Sequence, residues 1–141
     1  MIFLTVSDFD TLIKAENLTQ IIESNDGLLE AAVLASISEM TSYLRTRYDV
    51  NEIFNIATAS TSGDTRNQQL VMYGVDIALY HVHARVSPRS LPESRLARYE
   101  QAITFLKMVN KGSLLPDLPL KQTESNNNGI VYGSVSKFYY D

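Results

Sequence analysis

The residues best suited to chemistry are two histidines that fall within a strongly apolar segment. His81 and His83, the two histidines of the chain, form a His-x-His pair. In a helix, residues two positions apart point about 200° apart around the axis, so these two imidazoles would not share a metal ion. Because the surrounding spacing is helical, the sequence favours a packed, hydrogen-bonded His81 and predicts no metal site.

Two acids, Glu39 and Asp76, also lie within apolar segments. A carboxylate in such a place needs a charged or hydrogen-bonding partner. The expected partner of Asp76 is an arginine that helps to orient the helices: Arg45, Arg47 or Arg98. A compact hydrolase that uses Asp76 and His81 stays open as an alternative, although no second carboxylate lies near Asp76 in the sequence.

Other catalytic patterns are missing from the sequence. The chain has no cysteine, which removes thiolate nucleophiles, disulfides and thiolate zinc sites. The six glycines are isolated from one another, so there is no glycine-rich phosphate loop, and no serine lies in a nucleophile-elbow pattern. The sequence therefore predicts a protein that is not an enzyme and that has no catalytic residue, cofactor or metal.

Three segments with helical spacing of apolar residues must position these groups: about 26–48, 67–86 and 92–110. The second carries two adjacent apolar stripes and should be the central, most buried helix. The third has a main stripe at Leu96, Tyr99, Ile103 and Leu106. Asp26 is the expected N-cap of the first helix, and Thr65 has capping-box spacing with Gln68 for the second.

Shorter elements complete the predicted fold. Two short helices, near residues 7–13 and 18–23, should cover the core, and residues 55–66 read as a mobile surface loop. Residues 113–120 should form an extended segment whose backbone is restricted by two prolines; we call it the strap. The predicted fold is all-α: a small bundle of three long helices with short N-terminal helices and an extended C-terminal arm. The expected divisions are a helical domain at 1–120, a flexible linker at 121–129 and an aromatic arm at 130–141.

The C-terminal arm carries four of the chain's thirteen aromatic residues. They are Tyr132, Phe138, Tyr139 and Tyr140. An aromatic, β-prone segment beyond a polar linker has no obvious place in a three-helix core. It either packs back on its own domain as a short hairpin or inserts into a partner protein, to which these four residues would bind.

Charge is unevenly distributed along a chain whose net charge is −4. Residues 1–30 hold six acids and one base, whereas residues 45–98 hold seven arginines and five acids. This asymmetry could mark an acidic edge of one subunit that meets a basic edge of another, or it could be scattered solvated charge. The acidic total argues against tight, sequence-independent binding to nucleic acid.

The apolar start of the chain, residues 1–6, has no basic flank and is too short for a signal peptide or a membrane span. No other apolar run approaches the length that a bilayer needs. A cytoplasm-like compartment, without a membrane partner, is the expected setting.

Several runs together resemble a Mu-like phage and prophage family of head–tail connector, or head-completion, proteins, first described as a domain of unknown function. They are residues 3–9 (FLTVSDF), 43–50 (YLRTRYDV), 75–89 (VDIALYHVHARVSPR), 95–103 (RLARYEQAI) and 118–120 (LPL). The resemblance runs from residue 3 to about residue 132 in matching order.

The resemblance implies an adaptor-like helical subunit of the virion neck, assembled in the host bacterial cytoplasm. Such subunits form a ring with copies of themselves, often dodecameric, beneath the portal protein. The ring extends the channel for double-stranded DNA, without binding it specifically, and receives a tail-side neck or tail-terminator protein. The family implies no catalytic residues. The alternative is a prophage-encoded intracellular binding protein that acts on a host factor.

The uneven charge gives this interpretation candidate residues. The arginines expected at the subunit interface are Arg45, Arg47 and Arg66. Acids that line the channel would let DNA slide without sticking. The candidates for this lining are Asp8, Asp10, Glu16 and Glu23.

Overall fold

The computed structural model describes residues 3–55, 63–86 and 88–122. Within these ranges the chain forms six α-helices and one 3-10 turn, Pro88–Ser90, and no β-strand. The helices are α1 (Val6–Phe9), α2 (Ala15–Ile21), α3 (Asp26–Leu44), α4 (Val50–Phe54), α5 (Gln68–Val86) and α6 (Glu93–Lys111). The predicted all-α bundle of three long helices is confirmed.

Helix α5 is the centre of the bundle, as its two apolar stripes predicted. Ten of its residues are buried, and it packs against both α3 and α6. Tyr73 of α5 contacts Phe105 of α6, while Tyr80, further along α5, stacks on Tyr99 near the start of α6. Helices α5 and α6 are therefore antiparallel.

The segment that precedes α1 is part of the core. Phe3 and Leu4 are fully buried, and the Phe3 ring meets Phe54 of α4 edge-on at 5.0 Å between ring centroids. Leu4 lies against Gly74 in the middle of α5, where a Cβ atom would come within 3.1 Å of Leu4 Cδ1 and 3.0 Å of Met40 Cε. The absence of a side chain at Gly74 thus lets α3 and the N-terminal segment approach α5 closely.

The helix caps differ from the predicted ones. Asn25, not Asp26, caps α3, because its Oδ1 accepts a hydrogen bond from the Gly27 amide at 3.0 Å. At the start of α5, Asn67 Oδ1 accepts from the Leu70 amide at 3.0 Å, so Asn67 takes the role predicted for Thr65. In both cases the helix is capped by a nearby asparagine, because its side chain reaches a free amide of the first turn.

The buried face of α6 is rotated from the predicted stripe. Its buried residues are Ala102, Phe105, Leu106 and Val109. Leu96 is exposed, and Tyr99 is only partly buried. A second apolar stripe, formed by Ala102, Phe105 and Val109, lies beside the predicted one, and contact with α5 buries it together with Leu106.

Helix α3 ends at Leu44, four residues before the predicted end at Tyr48. Tyr48 forms an antiparallel bridge with Leu120, and the Lys121 amide donates to the Arg47 carbonyl at 2.9 Å. The predicted strap therefore closes over the turn that follows α3. Helix α4, which no pattern predicted, begins directly after this turn.

Several predictions concern residues outside the described ranges. These are the C-terminal arm with Tyr132, Phe138, Tyr139 and Tyr140, nearly all of the linker, and most of the loop at 55–66. Among the described helices, none is long and apolar enough to cross a membrane.

Candidate functional site

Arg66, one of the predicted interface arginines, is buried within its own subunit. Its side chain is 4% exposed, and all three of its nitrogens donate hydrogen bonds. Nη1 donates to the Phe3 carbonyl at 2.6 Å and to Asp8 Oδ2 at 2.7 Å, and Nη2 donates to Asp8 Oδ1 at 2.9 Å. Asp64 accepts from Nε at 2.9 Å and from Nη2 at 2.7 Å. We call Arg66, Asp8 and Asp64 the arginine clamp.

The electrostatics of the arginine clamp favour the charged forms. Hydrogen bonds from Arg66 lower the pKa of Asp64 well below its usual range. Burial alone would raise the pKa of Asp8, but hydrogen bonds from Arg66 and Thr5 and the charge of Arg66 outweigh it, so the pKa is lowered. Because Arg66 and Asp8 satisfy each other inside the fold, we remove Arg66 from the interface candidates and Asp8 from the channel candidates.

Asp76 forms the second charged cluster, between α5 and α6. Its side chain is 2% exposed, and Oδ1 accepts a hydrogen bond from Arg98 Nε at 2.7 Å. Arg95 Nη1 lies 3.5 Å from the same oxygen. The predicted ion pair with Arg98 is confirmed. Arg45 and Arg47, the other arginines considered, lie just beyond the end of α3 and do not pair with Asp76.

The third cluster joins the three long helices through Glu39 of α3. His81 Nε2 lies 2.9 Å from Glu39 Oε1, and the Tyr99 hydroxyl donates to Glu39 Oε2 at 2.8 Å. Burial and the hydrogen bond to Glu39 raise the pKa of Tyr99. Tyr80 stacks on Tyr99 with 3.9 Å between ring centroids. The predicted hydrogen-bonded state of His81 is confirmed.

These clusters do not assemble the pair of residues that the hydrolase alternative requires. His81 pairs with Glu39, whereas Asp76 is held by two arginines, so the two residues belong to separate clusters. A carboxylate that is buried and ion-paired in this way has little freedom to accept a proton from a substrate. Over the described ranges, no group of three or more histidines and acids is placed to hold a metal ion.

The two remaining interface arginines lie at the end of the bundle where α3 and α6 finish. Arg45 and Arg47 are both exposed. The Arg47 guanidinium rests against Gly112, the C-cap of α6, where a Cβ atom would come within 2.9 Å of Nη2. Arg45 and Lys121 line a groove of about 360 Å³ at this end, together with one acid, Asp49. We call this the basic end of the bundle.

The acids Glu16 and Glu23 lie at the other end. Glu23 is exposed and precedes the start of α3, a helix of 19 residues that is about 28 Å long. Glu16 is exposed on α2, whose later residues share a pocket with His83 near the end of α5. Two exposed arginines, Arg85 and Arg89, also belong to this end, which is therefore mixed in charge. Asp10 is exposed directly after α1.

Sequence reasoning missed the arginine clamp because its partners are far apart in the chain. Arg66 and Asp8 are 58 positions apart, and no periodic pattern connects them. The one local signal was the Asp64-x-Arg66 spacing, which lets an acid reach a guanidinium two residues away. The Glu39–His81–Tyr99 cluster was missed for the same reason, since each of its members lies on a different helix.

The family described as "Bacteriophage Mu, Gp36" has a model that matches residues 3–132 of the chain. The match covers the three long helices, all three clusters and the strap. Searches of curated proteins and of solved structures found no match.

Proposed function

The chain belongs to the bacteriophage Mu Gp36 family, and from this premise we propose that it is a structural subunit of a tailed-phage neck. In this proposal, copies of the chain form a ring that joins the portal protein to a tail-side neck or tail-terminator protein. The ring continues the channel for double-stranded DNA. The subunit acts by assembly and catalyses no reaction.

The observation that carries the proposed ring is the position of two exposed pairs of like charge at opposite ends of the bundle, the acidic pair lying at the end that also holds Arg85 and Arg89. Arg45 and Arg47 lie at the basic end, and Glu16 and Glu23 lie about the length of α3 away. Opposite charges on opposite ends of a subunit favour head-to-tail contacts, in which one end meets the other end of the next copy. Such heterologous contacts close into a ring when the rotation between neighbours allows it.

The acids that remain exposed, Asp10, Glu16 and Glu23, are also candidates for the channel lining. A negatively charged lining repels the phosphate backbone and prevents the counterion release that drives non-specific binding. One acid cannot face both a neighbouring subunit and the channel. Reversing each acid separately therefore assigns it to one role: loss of ring assembly marks an interface residue, and retarded DNA passage through intact rings marks a lining residue.

Charge reversal tests the proposed ring. One variant carries Arg45→Glu and Arg47→Glu, and a second carries Glu16→Lys and Glu23→Lys. Each is mixed with the portal protein of the same phage, and ring formation is followed by electron microscopy and analytical ultracentrifugation. We expect neither variant to form rings alone, because its reversed pair now meets a pair of the same charge on the next copy.

Mixing the two variants is the decisive experiment. Each reversed pair can then meet a pair of opposite charge on the other variant, so alternating rings should form again. The matched control is Glu100→Lys, which reverses an exposed charge near the middle of α6 and should leave assembly unchanged. Circular dichroism verifies that each variant is folded. Normal ring assembly by both folded reversal variants would contradict the proposed contact.

A further inference from the structure

A pocket lies at the mixed-charge end of the bundle, between α2 and the start of α6. It has a volume of about 530 Å³, and Arg95 of the Asp76 cluster forms part of its wall. Its polar lining includes Lys14, His83 and Arg95, together with the amide side chains of Asn17 and Gln20. No acid lines it. The pocket therefore presents three basic side chains without a carboxylate among its walls.

The acid that lies close to Arg95 is Asp76, and its carboxylate already accepts a hydrogen bond from another arginine. Asp76 lies 3.5 Å from Arg95 Nη1, but its Oδ1 accepts its short hydrogen bond, at 2.7 Å, from Arg98. Arg95 Nη1 and Nε are buried and make no hydrogen bond with any described residue. Buried guanidinium nitrogens without an acceptor are costly, and native structures usually supply one.

His83 shows the same lack of a partner. Its Nδ1 is buried and has no hydrogen bond within the described part of the chain. Burial and the charge of Arg95 lower the pKa of His83, which disfavours a third positive charge in the pocket. A bound anion would reverse this balance, because it would stabilise the protonated imidazole beside Arg95.

The remaining walls of the pocket are apolar. They are Leu12, Ile13, Ile21 and Pro92. Contact with these walls contributes binding free energy for a ligand that carries carbon atoms beside its charge. It contributes none for a fully hydrated inorganic ion.

We propose that this pocket binds a carboxylate flanked by apolar atoms, as presented by an acidic side chain of a protein partner. Arg95 and Lys14 supply the charge, His83 supplies a further donor once protonated, and the apolar walls hold the adjoining carbon atoms. A small turn of the Arg95 side chain toward the pocket would let Nη1 and Nε, which make no hydrogen bond with a described residue, donate to the ligand. The inference concerns this pocket alone and does not depend on ring assembly.

Three probes of matched chemistry test the proposal on the full chain. Hexanoate has both charge and an alkyl chain, 1-hexanol has the chain alone, and inorganic phosphate has the charge alone. Binding is followed by NMR through the amide signals of α2 and α6 and through the imidazole signals of His83. We expect saturable binding of hexanoate, about tenfold tighter than that of either other probe. Saturation with hexanoate should also raise the pKa of His83.

Variants locate the binding site. Lys14→Ala removes an exposed charge at the edge of the pocket and should weaken hexanoate binding several-fold without affecting folding. Arg95→Gln should abolish binding, and its fold is verified by its thermal transition. Lys107→Ala, on α6 but outside the pocket, is the matched control and should bind as the unmodified chain does. The proposal is overturned if hexanoate does not bind saturably, if phosphate binds more tightly, or if Lys14→Ala binds hexanoate unchanged.

Discussion

At the scale of single residues, Arg66 determines how the N-terminal segment is held. Its guanidinium joins the Phe3 carbonyl, Asp8 and Asp64, and so fixes a chain segment that is far away in the sequence. A buried arginine with five hydrogen bonds in this arrangement is a structural element, and no donor is left for another subunit.

Replacing Arg66 with leucine should lower the free energy of unfolding by about 3 kcal/mol, because the Asp8 carboxylate is left without its partner. Urea denaturation at neutral pH measures this change. Arg89→Leu is the control: Arg89 is exposed and makes no ion pair with a described residue, so its replacement should cost at most about 0.5 kcal/mol. Equal stability of the two variants would show that the arginine clamp does not hold the N-terminal segment.

The arginine clamp also predicts the acid sensitivity of the fold. The folded-state pKa of both Asp8 and Asp64 is lowered from the ordinary value of 3.8. Carboxyls of this kind stabilise the fold above their unfolded-state pKa, and the stabilisation is lost as the pH falls through the folded-state pKa. The free energy of unfolding should therefore decrease below pH 3.8.

Asp8→Asn should be less stable than the unmodified chain at neutral pH, and the difference should shrink as the pH falls below that value. Urea denaturation at a series of pH values gives both curves. The exposed Asp10→Asn variant should follow the unmodified chain throughout. A stability difference for Asp8→Asn that does not change with pH would rule out the proposed linkage.

Tyr99 offers a second test at this scale. Tyr99→Phe keeps the stacking on Tyr80 but removes the hydrogen bond to Glu39, and should cost about 1 kcal/mol in thermal or urea denaturation. Tyr80→Phe is the matched control, since the Tyr80 hydroxyl makes no hydrogen bond with a described residue. If both variants lose the same stability, the Glu39 cluster does not bind the helices together.

At the scale of elements, the close packing of α3 on α5 depends on two small residues. Ser36 Oγ donates to the Gly74 carbonyl at 2.7 Å, and Gly74 leaves room for Leu4 and Met40. The contact is short because neither residue has a bulky side chain.

Gly74→Val should destabilise the fold by about 2 to 3 kcal/mol, because the added methyl groups overlap with the fully buried Leu4. Thermal denaturation measures the loss. Gln69→Val, at an exposed position of the same helix, introduces the same residue without the overlap and should cost less than about 1 kcal/mol. A Gly74→Val chain as stable as this control would show that the α3–α5 contact can accommodate a larger side chain at position 74.

The elements also show what the sequence could predict. The three long helices and the central place of α5 followed from apolar spacing, because a helix buries one face whatever its partners are. The end of α3 at Leu44, the bridge between Tyr48 and Leu120, and the arginine clamp were not predictable. Each depends on a contact between residues that are far apart in the sequence, and local sequence patterns do not predict such contacts.

In the candidate sites, too, local spacing predicted some features, while others depend on tertiary contacts. Sequence spacing correctly gave His81 a hydrogen-bonded role and Asp76 an arginine partner, because a buried polar group on an apolar helix needs one. It could not show which arginines are exposed. Arg45 and Arg66 look alike in the sequence, yet one lies on the surface and the other is buried beneath the N-terminal segment.

At the scale of the whole molecule, the proposed ring depends on charge and so on ionic strength. Contacts between exposed charges weaken as the screening length falls from about 10 Å at 0.1 M salt to about 3 Å at 1 M. Rings formed with the portal protein should therefore dissociate at high salt, as measured by analytical ultracentrifugation. Rings that persist unchanged at 1 M salt would indicate an apolar subunit contact in place of the one between Arg45, Arg47 and the acids Glu16 and Glu23.

The central claim, that the chain is a neck subunit of the particle, is tested most directly by quantitative mass spectrometry of purified, infectious particles. The copy number of this chain is compared with that of the portal protein. The account predicts a small, fixed ratio between the two, near one copy to one. Absence of the chain from intact particles would contradict the account and would favour a phage-encoded protein that acts inside the host cell.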